Sequence, residues 1–312
     1  MKKPLNKIAV SIQRQRFNEI CGFLLLCFFL MSLCVIVSIY LELGFSLIHS
    51  GLPLNDALLE ALFTLNGGFG YMPYCLLALL AIWIWKGKKF FRTATWASRS
   101  MNVSTFIQIL CVFLSVQFLT SYFSMYLERI LNYWGLSAYM AMETASSENS
   151  PLSVIIYASI GAPIVEEFLF RGAILQSMNP CGKRFAIVFS SLLFGLFHGN
   201  IIQIPFAFLV GLILAYVAME YSIWWSILLH FINNCVLSYF LSFFPVVQNV
   251  VIGVALIAAL IILSIRANQI RDYHRSLQPM SREAVRGFWT APLTIVFLVL
   301  MMLNAASTIL PM

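Results

Sequence analysis

Long apolar runs broken by short polar clusters set the pattern of this chain. They cover roughly 19–41, 69–85, 105–127, 152–178, 185–198, 204–219, 223–240, 249–265 and 289–309. Most approach the ~20 residues that an α-helix needs to cross a hydrocarbon core, which predicts an all-α, polytopic transmembrane bundle of about eight to nine spans. A membrane barrel would instead show short alternating strands. These runs are continuous, and lipid leaves a helix as the way to satisfy their backbone. The stretch LPLNDALLEALFTLNGG over 52–68 holds Asp56 and Glu60 and reads as an interfacial helix.

No internal repeat, low-complexity tract or heptad pattern divides the chain. The pattern predicts one membrane domain in three parts. Residues 1–150 form an N-terminal region of about three spans, 151–245 a core of spans four to seven, and 246–312 the last spans, with a basic linker over 266–288 and a final helix accessory to the core.

Composition agrees with lipid as the solvent. Of 312 residues, 61% are hydrophobic and 10% charged, and the mean hydropathy is +0.89. A water-facing surface requires far more polar area. Cys21, Cys27, Cys34, Cys75, Cys111 and Cys235 fall inside apolar runs and read as small hydrophobes, while Cys181 sits in a short basic loop without a nearby partner. Neither a disulfide nor a CxxC site is indicated.

The net charge of +7 reflects orientation and no nucleic-acid partner, because the cations cluster beside the apolar runs. Threading from an inner N-terminus puts Lys2, Lys3, Lys7, Arg14 and Arg16, then Lys86, Lys88, Lys89, Arg92 and Arg99, then Lys183 and Arg184, then Arg266, Arg271, Arg275, Arg282 and Arg286 on one side. Outer loops keep Arg129 and most of the acids. Positive charge marks the cytoplasmic face, so a multi-pass protein of a cell membrane with a cytoplasmic N-terminus is expected, a bacterial plasma membrane being the simplest host. No cleavage site follows the first run, which is read as a retained span.

Ionisable groups inside a span cost about 2.5–3.5 kcal/mol each on insertion scales and therefore mark function. Span four holds Glu166, Glu167 and Arg171 in APIVEEFLFRG, span five ends on His198 in FGLFHGN, and span seven holds His230 and Asn234 in LLHFINN. At about 100° per residue, Glu167 and Arg171 share a face and can pair, whereas Glu166 points about 140° away from that cation. Glu166 is therefore the candidate general base and Glu167 the anchored carboxylate. Phe194 with His198, and His230 with Asn234, are each one turn apart. At about 1.5 Å per residue, Glu166, His198, His230 and Asn234 lie roughly 18, 21, 12 and 18 Å from the inner ends of their spans. They can meet around one cavity within the membrane. His49 and His274 fall in expected loops and carry no such claim.

These three segments, EEFLFRG from Glu166, FGLFH from Phe194 and HFINN from His230, resemble the motifs of the CAAX protease and bacteriocin-processing family of intramembrane proteases. The motifs are paired glutamates with an arginine four beyond the second, Phe-x-x-x-His, and His-x-x-x-Asn. The likeness covers about 150–240. It implies a Ras-converting-enzyme-like mechanism in which Glu166 and His198 activate water, His230 and Asn234 hold the oxyanion, and Glu167 with Arg171 keep the site in shape. The implied substrate is a membrane-associated peptide or protein.

No cofactor is required by this reading. A zinc-dependent version with Glu166, His198 and His230 as ligands is the alternative, although no HExxH is present. Two other classes stay open: a proton-coupled transporter using the same groups as a relay, and a non-catalytic membrane scaffold or bacteriocin-immunity protein.

Overall fold

A computed structural model describes residues 6–49, 53, 55, 70–94, 99–139 and 152–312. The stretch 52–68, with Asp56 and Glu60, lies almost entirely outside them. The helices are α1 (Lys7–His49), α2 (Tyr71–Lys86), α3 (Phe90–Ala94) and α4 (Val103–Tyr133). Then come α5 (Leu152–Cys181), α6 (Lys183–Phe197), α7 (Gln203–Glu220) and α8 (Ile223–Phe243). The chain closes with α9 (Pro245–Ser276), α10 (Arg282–Thr290) and α11 (Pro292–Ser307). Two-residue strands, β1 (Leu136–Ser137) and β2 (Leu310–Pro311), pair antiparallel and tie the C-terminus to the end of α4.

The chain is an all-α, multi-pass membrane protein. Every apolar run of the sequence becomes helix. Among the described residues, 6 helices are long and apolar enough to cross a membrane, or up to 7 if α10 and α11, bent by 63° at their junction, count as one. The smaller number has a geometric cause. Helices α2 and α6 have 16 and 15 residues, or about 23 Å of rise, against a core of ~30 Å.

Most of the basic stretch over 266–288 is helical: α9 runs on to Ser276, and Ser281 restarts a helix by accepting the Ala284 N–H. One local expectation changes, since His49 and His274 fall in the last turns of helices and not in loops.

One apolar core runs through the bundle, from Phe17, Ile20, Cys21 and Leu24 of α1 to Phe297 and Met301 of α11. The 17, 20, 21, 24 spacing is the helical period that gives α1 its buried stripe. Near the N-terminal end of α1, Phe17, Phe185 and Phe288 pack with ring centroids 5.4–6.4 Å apart, joining α1, α6 and α10. Polar ties close the same end. The Glu220 carboxylate takes the Lys183 ammonium and, at 2.7 Å, the Tyr273 hydroxyl, while Arg184 donates to the His274 carbonyl at 2.7 Å.

Helices α6 and α7 pack closely at Gly211, where an added Cβ would stand 3.1 Å from the Phe194 ring and 3.2 Å from the Ser191 Cβ. That close approach delivers Phe194 into the interior beside α5.

Candidate active site

Helix α5 is not uniform. It runs α-helical over Ala162–Glu166 and opens into π geometry over Tyr157–Gly161 and Glu167–Ile174; α8 does the same over Ile232–Tyr239. Wide turns of this kind are rare and favour functional sites. Here the three contain Ala158, Glu167, Arg171, Asn233 and Asn234.

Glu167 is fully buried and pairs with Arg171 at 3.1 Å. The guanidinium also donates to the Gly211 carbonyl at 3.4 Å and lies 4.1 Å over the Phe194 ring. A carboxylate, a carbonyl and a π-face thus surround it in place of water, the Nη1 contact with Glu167 being an ion pair without hydrogen-bond geometry. The second Glu167 oxygen accepts from Ser226, whose hydroxyl also lies 3.1 Å from the Leu214 carbonyl.

His230 stands between the two adjacent glutamates. Its Nδ1 is 3.0 Å from Glu167 Oε1, and its Nε2 is 3.8 Å from Glu166 Oε2. Glu166 keeps 21% of its side chain exposed, against none for Glu167. Neighbours in sequence therefore grip opposite edges of one imidazole, one sealed in protein and the other open.

His198 caps the C-terminus of α6, with Nδ1 2.9 Å from the Phe194 carbonyl. A carbonyl can only accept, so Nδ1 carries the hydrogen and Nε2 presents a lone pair. The Phe194 ring meets both imidazoles edge to face, at 4.8 Å for His198 and 5.9 Å for His230. That gives Phe-x-x-x-His a physical reading, since the phenylalanine is the spacer on which both histidines and the arginine rest. Gly199 follows at φ +58°, and Asn304 of α11 packs so closely that an added Cβ at Gly199 would lie 1.9 Å from its Nδ2.

Asn234 is held by its own hydrogen bonds. It stands one turn beyond His230, in the π turn beginning at Ile232. Its Nδ2 donates to the Ala158 carbonyl at 2.9 Å, and its Oδ1 accepts from Asn233 at 2.9 Å. His230 is anchored separately, on Glu167. The fold thus brings Glu166, Glu167, Arg171 and His230 into direct contact, joins His198 to them through Phe194, and ties Asn234 to α5.

Among the described residues, no three His, Cys, Asp or Glu side chains are grouped to hold a metal ion, Glu166, His198 and His230 included. Sequence reasoning missed Ser226, Asn233, Gln117 and Asn304. Ser226 had a signal, standing one turn before His230, and Gln117 is an amide deep in an apolar run; nothing along the chain marks Asn304.

Residues 148–236 match the Rce1-like family model, type II CAAX prenyl endopeptidase. The match supports the CAAX protease and bacteriocin-processing family for this segment and, at family level, a CAAX-type endopeptidase. No curated protein and no solved structure matches the chain. The Rce1-like segment contains the glutamates, the arginine and both histidines, while Gln117 and Asn304 lie outside it.

Proposed function

We propose that this protein is an intramembrane endopeptidase that cleaves a membrane-associated peptide or protein with a water activated by Glu166 and His198. The observation that carries the reading is the His230 ring held between a sealed and an open carboxylate, at 3.0 and 3.8 Å, inside a segment matched by a protease family.

The open carboxylate of Glu166 and the bare Nε2 of His198 are the two proton acceptors suited to a water between α5 and α6. The water oxygen attacks the scissile carbonyl carbon, and its proton passes to this pair. The carbonyl oxygen becomes an oxyanion facing His230 Nε2 and the free N–H of Asn234. Because His230 Nδ1–H is given to Glu167, Nε2 donates only from the doubly protonated ring. Collapse breaks the C–N bond, and the proton returns to the leaving nitrogen. Water supplies the atoms of the new carboxyl and amino ends, and no step passes through a metal.

We further place the N-terminus and the Lys/Arg-rich ends in the cytoplasm of a bacterial cell, on the charge bias alone. A reporter active only outside the cytoplasm should stay silent when fused to the N-terminus.

The test of activity compares cells expressing the wild type, Glu166→Gln and His198→Ala by mass spectrometry of released and membrane-bound peptides. Both variants should insert normally and lose the same cleavage products. Wild-type turnover by either one would remove these roles.

A further inference from the structure

A chain of side-chain amides leads into the site from a helix outside the Rce1-like segment. Gln117, in the middle of α4, donates Nε2–H to Asn233 Oδ1 at 2.9 Å; Asn233 donates Nδ2–H to Asn234 Oδ1 at 2.9 Å; and Asn234 donates to the Ala158 carbonyl at 2.9 Å. Asn233 is buried, at 6% exposure. A glutamine placed this deep in an apolar helix is costly without a partner, and its hydrogen-bond partner here is Asn233.

The direction of this chain is dictated by its last member. A backbone carbonyl only accepts, so Asn234 must turn its nitrogen to Ala158 and its oxygen to Asn233. Asn233 must then turn its nitrogen to Asn234, which leaves its own oxygen in need of a donor. Gln117 is that donor. An amide nitrogen has two hydrogens, so with one given to Ala158 the Asn234 amide keeps one N–H to offer a ligand.

We propose that Gln117 is a positioning residue that keeps the second N–H of Asn234 available to the oxyanion; this rests on the oxyanion role proposed above for Asn234. Without Gln117 the Asn233 oxygen is buried and unpaired, at a cost that drives rearrangement. Asn234, whose amide already bonds Asn233 at 2.9 Å, carries hydrogens able to satisfy it. Capturing one of them, or turning both amides over, withdraws the N–H that substrate needs. Polarisation along a bonded chain adds to the effect, each donor strengthening the next. The functional unit therefore includes α4, which the family match does not reach.

Four variants in lipid nanodiscs test this, each measured for kcat and KM and for folded fraction: Gln117→Met, Asn233→Leu, Asn234→Ala and Gln108→Met. Gln108 is a second α4 glutamine, bonded to Ser104 and Arg266 away from the site. Gln117→Met and Asn233→Leu should lower kcat at least about tenfold, up to the roughly 100-fold of an outright lost oxyanion donor. KM should stay unchanged, the sign of an interaction made in the transition state, and Gln108→Met should match the wild type. Wild-type kcat in Gln117→Met beside an inactive Asn234→Ala overturns the relay and leaves the oxyanion role standing. Full activity in Asn234→Ala overturns the oxyanion role itself. A loss in Gln117→Met that merely follows its folded fraction, or that Gln108→Met shares, reduces Gln117 to a structural residue and also overturns the relay.

Discussion

His230 Nδ1–H donates to Glu167 across 3.0 Å, which leaves the Nε2 edge of the ring facing Glu166. That bond joins two roles: the carboxylate that neutralises Arg171 also sets the tautomer and tilt of the imidazole. Damage to the ion pair should therefore appear in both stability and turnover.

Arg171→Leu leaves a buried, unpaired carboxylate and should destabilise the protein by about 3–5 kcal/mol, read as a shift in detergent unfolding. Adding Glu167→Gln removes the stranded charge and should recover much of that stability. Turnover should not recover, because His230 has lost its anionic anchor. Equal stability of the single and double variants would contradict this account.

Ser226→Ala removes the hydroxyl donor to Glu167 Oε2. Hydrogen bonds to charged groups contribute about 1.5–3 kcal/mol, and a loss of that size is expected in the same assay. The variant should also be slower, since a looser Glu167 holds His230 less well.

Phe194→Leu keeps an apolar side chain but deletes the ring under Arg171 and between the two histidines. A desolvated cation–π contact contributes on the order of 2 kcal/mol. Turnover should fall with little change in KM. Undiminished kcat would show that the ring is filler only.

Gly199→Ala forces a side chain into the left-handed region, at roughly 1–2 kcal/mol, and against Asn304. His198 is the adjacent residue, so the variant should lose activity more than stability. Combining it with Asn304→Ala relieves the clash but not the φ strain. The double variant should therefore regain part of the activity, and none regained would exclude the contact as a cause.

Removing metal gives a separate check. Exhaustive chelation of the purified protein should leave the cleavage rate unchanged. A loss reversed by zinc would instead favour the zinc-dependent reading.

The chain by itself determined its solvent and its candidate groups. Apolar runs of spanning length leave lipid and helix as the one consistent pair, and ionisable groups are too costly in lipid to be incidental, so Glu166, Glu167, Arg171, His198 and His230 stand out without coordinates. The Glu167–Arg171 pair was legible too, because four residues on a helix return to one face.

Tertiary structure decided what helical spacing cannot carry. A helical wheel says which residues share a face of one helix, and not which residue of another helix meets them. Asn234 bonds Ala158 and Asn233, and Glu166 meets the far edge of the His230 ring. Gln117, Ser226, Gly199 and Asn304 reach the site from positions up to about two hundred residues apart. A contact between helices depends on how the helices pack, and no local pattern records it.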